Sequence, residues 1–133
     1  MTYRTMQRDV EKVEELYAAI GWRDVGALLM LMAHDVEIVQ SAELPWGGVY
    51  RGHDGVRQFL GKLAEHIESH VEIESLIDAG EHVVAVGRTV GKTRATNLEF
   101  SVPVDHVWTL HDGQVTRFES YIDNATMLAV LNL

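Results

Sequence analysis

The C-terminal half of the chain consists of strand-like segments joined by short turns, and this arrangement limits the folds that the sequence can adopt. The segments are HVEIESLI, HVVAVGRTVGKT, LEFSVPVDHVWTL and QVTRFESYI. The sequences between them, DAGE, RATN and HDG, are rich in residues that form tight turns. Strands joined by such short turns run antiparallel. We therefore expect a meander of four antiparallel strands.

The N-terminal half is mainly helical in pattern. Apolar residues recur at helical spacing from about residue 7, and Asp24 is placed to cap a short second helix through VGALLMLM. HDVEIVQS then alternates as a strand, and AELPWGGVYRG is a loop rich in Gly and Pro. A third helix is expected to begin near Asp54, and Asp123 is expected to cap a last short helix, NATMLAVLNL.

This order of elements predicts an α+β fold, a cone-shaped α+β roll. Three helices from the N-terminal half pack in the concave face of a curved, mostly antiparallel sheet, and a short helix ends the chain. The chain has 133 residues, of which 47% are hydrophobic, so we expect a single domain over residues 1–133. Such a cone encloses a pocket.

The composition disfavours several kinds of partner. A net charge of -9 opposes binding to nucleic acid or anionic lipid, and the chain has neither a long apolar stretch nor a signal-peptide pattern. The absence of cysteine removes disulfides and thiolate ligands. His66 and His70 are four apart but stand among acidic, solvent-facing residues. We expect a cytoplasmic protein with no cofactor, no metal, no nucleic acid and no membrane partner.

Three blocks of sequence carry a resemblance to a known family. YAAIGWRDVGALLMLMAHDVEIVQ, GVYRGHDGVRQFL and HVWTLHDGQVTRFESYID resemble the SnoaL-like branch of the nuclear transport factor 2 superfamily. The resemblance extends over nearly the whole chain and implies one SnoaL-like domain that forms homodimers. The superfamily includes polyketide cyclases, ketosteroid isomerase, scytalone dehydratase, limonene epoxide hydrolase and members that only bind or dimerise, so the fold alone leaves the activity open.

The resemblance also suggests roles for individual residues. Tyr17 and Asp105 match the positions of the tyrosine and the neutral acid that bind the oxyanion in ketosteroid isomerase, and Gln40 matches the position of its base. A glutamine amide cannot move a proton at neutral pH, so steroid isomerase activity is not expected. Ser120 stands where the cyclases and the epoxide hydrolase carry a catalytic aspartate. Two usual catalytic carboxylates are therefore replaced.

Strand pairing can be predicted from the turns. A turn at Asp112 and Gly113 sets Asp105 opposite Ser120 and His106 opposite Glu119, and a turn at Thr96 and Asn97 sets Arg88 opposite Asp105. Because side chains alternate along a strand, Asp105 and His106 serve opposite faces of the sheet. We expect a polar row inside the pocket and a second set of residues on the outer face. The predicted row consists of Arg88, Asp105 and Ser120.

Each face has an expected role. On the inner face, the candidate catalytic residues are Asp105, Arg88 and Tyr17, although Arg88 with Asp105 could equally be a structural ion pair and Tyr17 a core residue. Trp46 either acts as a lid that folds over the pocket opening or is a plug, a side chain that fills the end of the cone. The expected ligand pocket is lined by Gln40, Trp46, Phe59, Val107, Phe118 and Ser120. The outer face carries too much apolar area to stay in water, so we expect it to form a homodimer interface through His106, Trp108, Arg117, Glu119 and Tyr121.

Two functional hypotheses follow from the sequence. The first is an isomerase, cyclase, hydratase or lyase that acts on a small apolar substrate with a carbonyl or hydroxyl group, by acid/base chemistry without a cofactor. The second is a homodimer that binds a small ligand without turnover.

Overall fold

A computed structural model of the protein describes the backbone of residues 3–132 and the side chains of residues 8–132. The helices are α1 (Tyr3–Gly21), α2 (Val25–Met30), α3 (Gly52–His66) and α4 (Asn124–Leu131). The strands are β1 (Met32–Gln40), β2 (Gly48–Arg51), β3 (Ile67–Ala79), β4 (His82–Thr93), β5 (Glu99–His111) and β6 (Gln114–Ile122).

The strands form one sheet in the order β2-β1-β6-β5-β4-β3. Neighbouring strands are antiparallel, except that β1 and β6 run parallel. The predicted α+β architecture and the four-stranded meander are confirmed. β2 was not predicted, because its four residues follow a run of Pro and Gly that is typical of a loop.

Local capping signals position the short helices. Asp24 accepts a hydrogen bond from the backbone N–H of Ala27 at 3.0 Å, and Asp123 accepts one from Thr126 at 3.1 Å, so both predicted caps are confirmed. The first cap turns the chain sharply from α1 into α2. No described helix has the length and apolar character needed to cross a membrane.

The turn at Asp112 and Gly113 is confirmed, since both residues have positive φ and His111 pairs with Gln114. The register beyond it differs from the prediction. A β-bulge follows Thr109, which pairs with Arg117. Because of the bulge, the residues of β5 that precede Thr109 pair one position further along β6 than predicted. Asp105 therefore pairs with Tyr121, and His106 pairs with Ser120.

The turn between β4 and β5 is also longer than predicted. Asn97 has the expected positive φ, of 56°. The backbone N–H of Thr93 donates to the carbonyl of Leu98 at 2.9 Å, so the turn spans residues 94–97. Arg88 therefore pairs with Pro103, and the predicted pairing of Arg88 with Asp105 is wrong.

Burial along β5 shows which face lies against the helices. The even-numbered side chains from Phe100 to Leu110 are buried, and the odd-numbered ones are exposed or half-buried. His106 and Trp108 thus face the helices, whereas Asp105 and Val107 face outward, which reverses the prediction. The physical reason is that the even-numbered set buries far more apolar area than the odd-numbered set, and burial fixes which set points inward.

Two apolar clusters fill the concave side of the sheet. One lies between α1, α2, α3 and the sheet around Leu16, Val36 and Trp108. The other lies at the end of the cone, where Met127 of α4 packs with Trp46 and other residues of that end. α4 packs at the end of the cone and not on the convex face of the sheet, and no other described helix covers that face.

Candidate functional site

An internal cavity of about 120 Å³ lies between the concave face of the sheet and the helices, and we call it the inner cavity. Most of its wall is apolar. The predicted pocket residues that border it are Gln40, Trp46, Phe59, Phe118 and Ser120. Val107 does not border it, because it points to the convex face. His106 and Trp108, which were expected on the convex face, are part of the wall.

A hydrogen-bonded aromatic cluster forms one side of the inner cavity. The hydroxyl oxygen of Tyr17 lies 2.6 Å from Nδ1 of His106 and 2.9 Å from Nε1 of Trp108. The Tyr17 and His106 rings are nearly parallel, with planes 10° apart and centroids 5.9 Å apart. Phe118 packs against both His106 and Trp108, with ring centroids 4.9 and 4.4 Å away.

The cluster favours one tautomer of His106. An indole N–H can only donate, so the Tyr17 oxygen accepts from Trp108. Among the described residues Nδ1 of His106 is the one acceptor within reach of the Tyr17 hydroxyl, so satisfying that hydroxyl directs its proton to Nδ1. Nδ1 is then an acceptor, and the proton of the neutral imidazole sits on Nε2. Burial lowers the pKa of His106 to about 4 and raises the pKa of Tyr17, so both groups are neutral at pH 7.

Nε2 of His106 is the ring nitrogen that the aromatic cluster leaves without a hydrogen bond among the described residues. No hydrogen-bond partner of this nitrogen occurs in the described part of the chain, and it is not among the fully buried atoms without a partner. His106 itself borders the cavity. The arrangement presents one N–H donor inside an apolar wall, with the Gln40 amide and the Ser120 hydroxyl as further polar groups. No carboxylate among the described residues borders the inner cavity.

The predicted polar row does not form. Arg88 lies on the convex face, where its guanidinium donates to Oγ and to the carbonyl of Ser101 at 2.7 and 2.9 Å. Asp105 is on the same face, and the two residues border a shallow groove outside the cone. Ser120 is on the other side of the sheet. Asp105 and Arg88 therefore cannot contact a ligand in the inner cavity, and the hypothesis that they act there is wrong.

Trp46 forms a fixed part of the wall, as the plug interpretation requires. Its side chain is 3% exposed, and the hydroxyl of Tyr50 donates to its carbonyl at 3.0 Å. A Cβ atom at Gly47 would lie 2.1 Å from the carbonyl oxygen of Ser41, so the chain is tightly packed here. These contacts hold the segment closed over the end of the cone.

A second cavity, of about 250 Å³, lies where α1 turns into α2, beside the end of α3 and the start of β3. We call it the mouth cavity. It is bordered by Tyr17 and by two arginines, Arg23 and Arg94. It shares a run of wall residues with the inner cavity, which are Ile20, Leu28, Leu60, Leu63, Ile67, Ser69 and Val71. The two cavities are thus neighbours with a common wall.

The convex face carries apolar and charged residues side by side. Arg117, Glu119 and Tyr121 lie on it as predicted. Arg117 pairs with Glu37 and with Glu119, the latter at 3.2 Å. Apolar side chains on this face include Val39, Val49, Val84, Val86, Val90 and Val107. Among the described residues, no group of three or more His, Asp or Glu side chains is arranged to hold a metal ion.

The chain has the nuclear transport factor 2 fold, with a mostly apolar cavity between the sheet and the helices. Residues 13–118 match the SnoaL-like domain family, and the chain belongs to this family. No curated protein matches the chain.

Solved structures agree with this assignment. A nuclear transport factor 2-like protein from Burkholderia xenovorans is 31% identical, with a TM-score of 0.85 over 95% of this chain and 97% of that chain. One from Burkholderia pseudomallei is 27% identical, with a TM-score of 0.88 over 95% and 98%. TerC, co-crystallised with polyporic acid, is 25% identical, with a TM-score of 0.87 over 95% and 99%.

Proposed function

We propose that the protein binds a small, mostly apolar molecule that carries a carbonyl or hydroxyl oxygen, and that Nε2–H of His106 donates a hydrogen bond to that oxygen. The observation that supports this proposal is the Trp108–Tyr17–His106 chain of hydrogen bonds, which favours Nε2 as the protonated nitrogen of an imidazole that burial keeps neutral. A single oriented donor in an apolar cavity recognises one acceptor atom and excludes ligands that lack it.

The dimensions of the site indicate a small ligand. The inner cavity alone, at about 120 Å³, is smaller than the usual range of about 300 to 1,000 Å³ for ligand pockets. The mouth cavity adds space beyond the common wall. TerC, which shares the fold, was co-crystallised with polyporic acid, and this supports ligand binding as the use of the cone.

Binding is favoured over turnover because the described residues of the cavity wall include no base that is effective at neutral pH. No carboxylate of the described residues borders the inner cavity, and a histidine whose pKa is about 4 is a weak base at neutral pH. One observation favours a second candidate, a cofactor-free isomerase, cyclase, hydratase or lyase. A neutral imidazole N–H held in place can stabilise a developing oxyanion, as neutral histidine does in other enzymes.

Acetophenone tests the proposed donor, with ethylbenzene as a probe of similar shape that lacks the oxygen. We expect acetophenone to shift the NMR signal of the Trp108 indole N–H, while Trp22, which is 85% exposed, serves as an internal reference. The substitution His106→Asn keeps a polar partner near Tyr17 but removes Nε2. It should weaken acetophenone binding about tenfold, the value of one hydrogen bond in an apolar site.

The same titration contains its controls. Ethylbenzene should bind wild type and His106→Asn with similar affinity, because neither complex includes the hydrogen bond. If acetophenone binds both proteins equally, His106 is not the donor. Exchange of the acetophenone methyl hydrogens in D₂O separates the two candidate functions. Exchange that wild type accelerates and His106→Asn does not would favour turnover, whereas exchange at the uncatalysed rate favours binding alone.

We also propose that the convex face forms a homodimer. The valines on this face are half-buried or exposed in the single chain, and no described helix covers them. Arg51, Glu37, Arg117 and Glu119 form a row of alternating charge across β2, β1 and β6. A face of this kind can match a second copy of itself about a twofold axis, since each charge has an opposite neighbour.

Val107 is central to the test of the homodimer. It pairs with Val84 on one side and Glu119 on the other, in the middle of the convex face. We expect wild type to sediment as a dimer and Val107→Glu to sediment as a monomer, because the new carboxylate would be buried without a partner in the interface. Val25→Glu, at an exposed valine on α2, should stay dimeric. A monomeric wild type, or a dimeric Val107→Glu, would rule out this interface.

A further inference from the structure

Arg23 lies at the mouth cavity in an unusual backbone conformation. Its φ is 56°, in the left-handed region that glycine and asparagine adopt most readily. Two backbone hydrogen bonds hold this conformation, from Arg23 N–H to the carbonyl of Ile20 at 3.1 Å and from Asp24 N–H to Ala19 at 2.9 Å. An arginine is therefore present where the backbone favours a smaller residue, and its side chain borders the cavity.

The other basic side chains at the mouth cavity already have partners. The guanidinium of Arg94 donates to the carbonyl of Ala64 and lies 3.9 Å from Glu68. His70 is hydrogen-bonded to Glu72 at 3.1 Å. Within the described residues, Arg23 has no carboxylate within 4.0 Å and makes no side-chain hydrogen bond.

Acidic residues stand near Arg23, but none of the described ones makes an ion pair with it. Asp24 is the carboxylate that borders the mouth cavity in the described part of the chain. Its Oδ1 accepts the backbone N–H of Ala27 and caps α2. Among the described residues the guanidinium of Arg23 thus has no ion-pair partner, and it borders a mostly apolar cavity in a chain whose net charge is -9. Such a charge attracts small anions that the rest of the surface repels.

We infer that the ligand is amphipathic and carries an anionic group, most simply a carboxylate, that binds Arg23. Its apolar body then lies along the residues that border both cavities, and its carbonyl or hydroxyl oxygen reaches His106. This inference rests on the proposed function, because the inner cavity must hold the apolar end. Arg23 is a specificity-determining residue in this arrangement, since a planar guanidinium matches a carboxylate in shape and charge.

The test compares 4-benzoylbutyrate with its carboxamide, which has nearly the same shape and no charge. We expect the carboxylate to bind wild type about fivefold more tightly than the amide, as for an exposed ion pair. Arg23→Asn removes the charge and retains a residue that adopts the left-handed conformation readily. In this variant the two probes should bind equally, and the affinity for acetophenone should not change. Raising the salt concentration should weaken the binding of the carboxylate alone.

Arg57→Gln is the matched control, because Arg57 is an exposed arginine on α3 that pairs with Asp54 and borders neither cavity. It should keep the preference for the carboxylate. Equal binding of the two probes to wild type, or an undiminished preference in Arg23→Asn, overturns the inference. If acetophenone binding still depends on His106 in that case, the proposed function stands. If no probe binds at all, both fail.

Discussion

Lowering the pH from about 7 to about 4 is expected to reduce the free energy of unfolding by about 3 kcal/mol through His106 alone. Burial lowers the pKa of this histidine from 6.5 to about 4. Below pH 6.5 the unfolded chain therefore binds a proton that the folded chain does not, and each pH unit in this window costs about 1.4 kcal/mol. The loss should begin near pH 6.5 and end near pH 4, with no contribution from His106 at higher pH.

Denaturant titrations over this pH range measure the effect, and His106→Asn is the reference protein. Carboxylates such as Asp9, whose pKa is raised by burial, titrate in both proteins and cancel in the comparison. The slope of unfolding free energy against pH should be steeper in wild type by the amount that one buried neutral histidine supplies. Parallel slopes in the two proteins would contradict the assignment of His106 as a buried neutral imidazole.

The parts of the fold that depend on neighbouring residues were predictable from the sequence. The caps at Asp24 and Asp123 and the turn at Asp112 and Gly113 form through contacts within a few residues, so their signals are local. The order of elements then leaves few ways to bury the apolar faces. The bulge after Thr109 has no such signal, because an extra residue is accommodated by the twist of the whole sheet.

The candidate site depended on one choice of strand face. Ser120 was expected in the pocket as the partner of Asp105, and Phe118 was expected on the same face of β6. Both border the inner cavity, but their partners are His106 and Trp108. Two errors cancelled at these residues, since the face of β5 was reversed and the bulge shifted the partners by one. The apolar residues at even positions of β5 carried the correct signal. His106 was missed because the resemblance to ketosteroid isomerase placed Asp105 inside the pocket. The alternation of side chains along the strand then placed His106 on the outer face.

Tyr17→Phe is expected to lower the free energy of unfolding by about 3 kcal/mol, because one hydroxyl serves two buried groups. Trp108 is 2% exposed and His106 is 7% exposed, and Tyr17 is the recorded hydrogen-bond partner of both the indole N–H and Nδ1. Removal of the hydroxyl leaves one donor and one acceptor buried without partners, at about 1 to 3 kcal/mol each. A phenylalanine fills the same space, so little of the loss would come from a cavity.

Tyr50→Phe is a matched control for this substitution, since Tyr50 is also buried and its hydroxyl donates to the carbonyls of Trp46 and Gly47. It leaves the carbonyls of Trp46 and Gly47 without this donor but strands no N–H, so its cost should be nearer 1 kcal/mol and smaller than that of Tyr17→Phe, which strands a donor and an acceptor. Tyr17→Phe should also release the tautomer of His106, which ¹⁵N NMR of the imidazole detects directly as a mixture of protonation at Nδ1 and Nε2. A cost no larger than that of Tyr50→Phe, together with an unchanged Nε2–H tautomer, would show that Tyr17 does not orient the donor. A large cost with a mixed tautomer would show that the same hydroxyl stabilises the fold and aims His106 into the inner cavity.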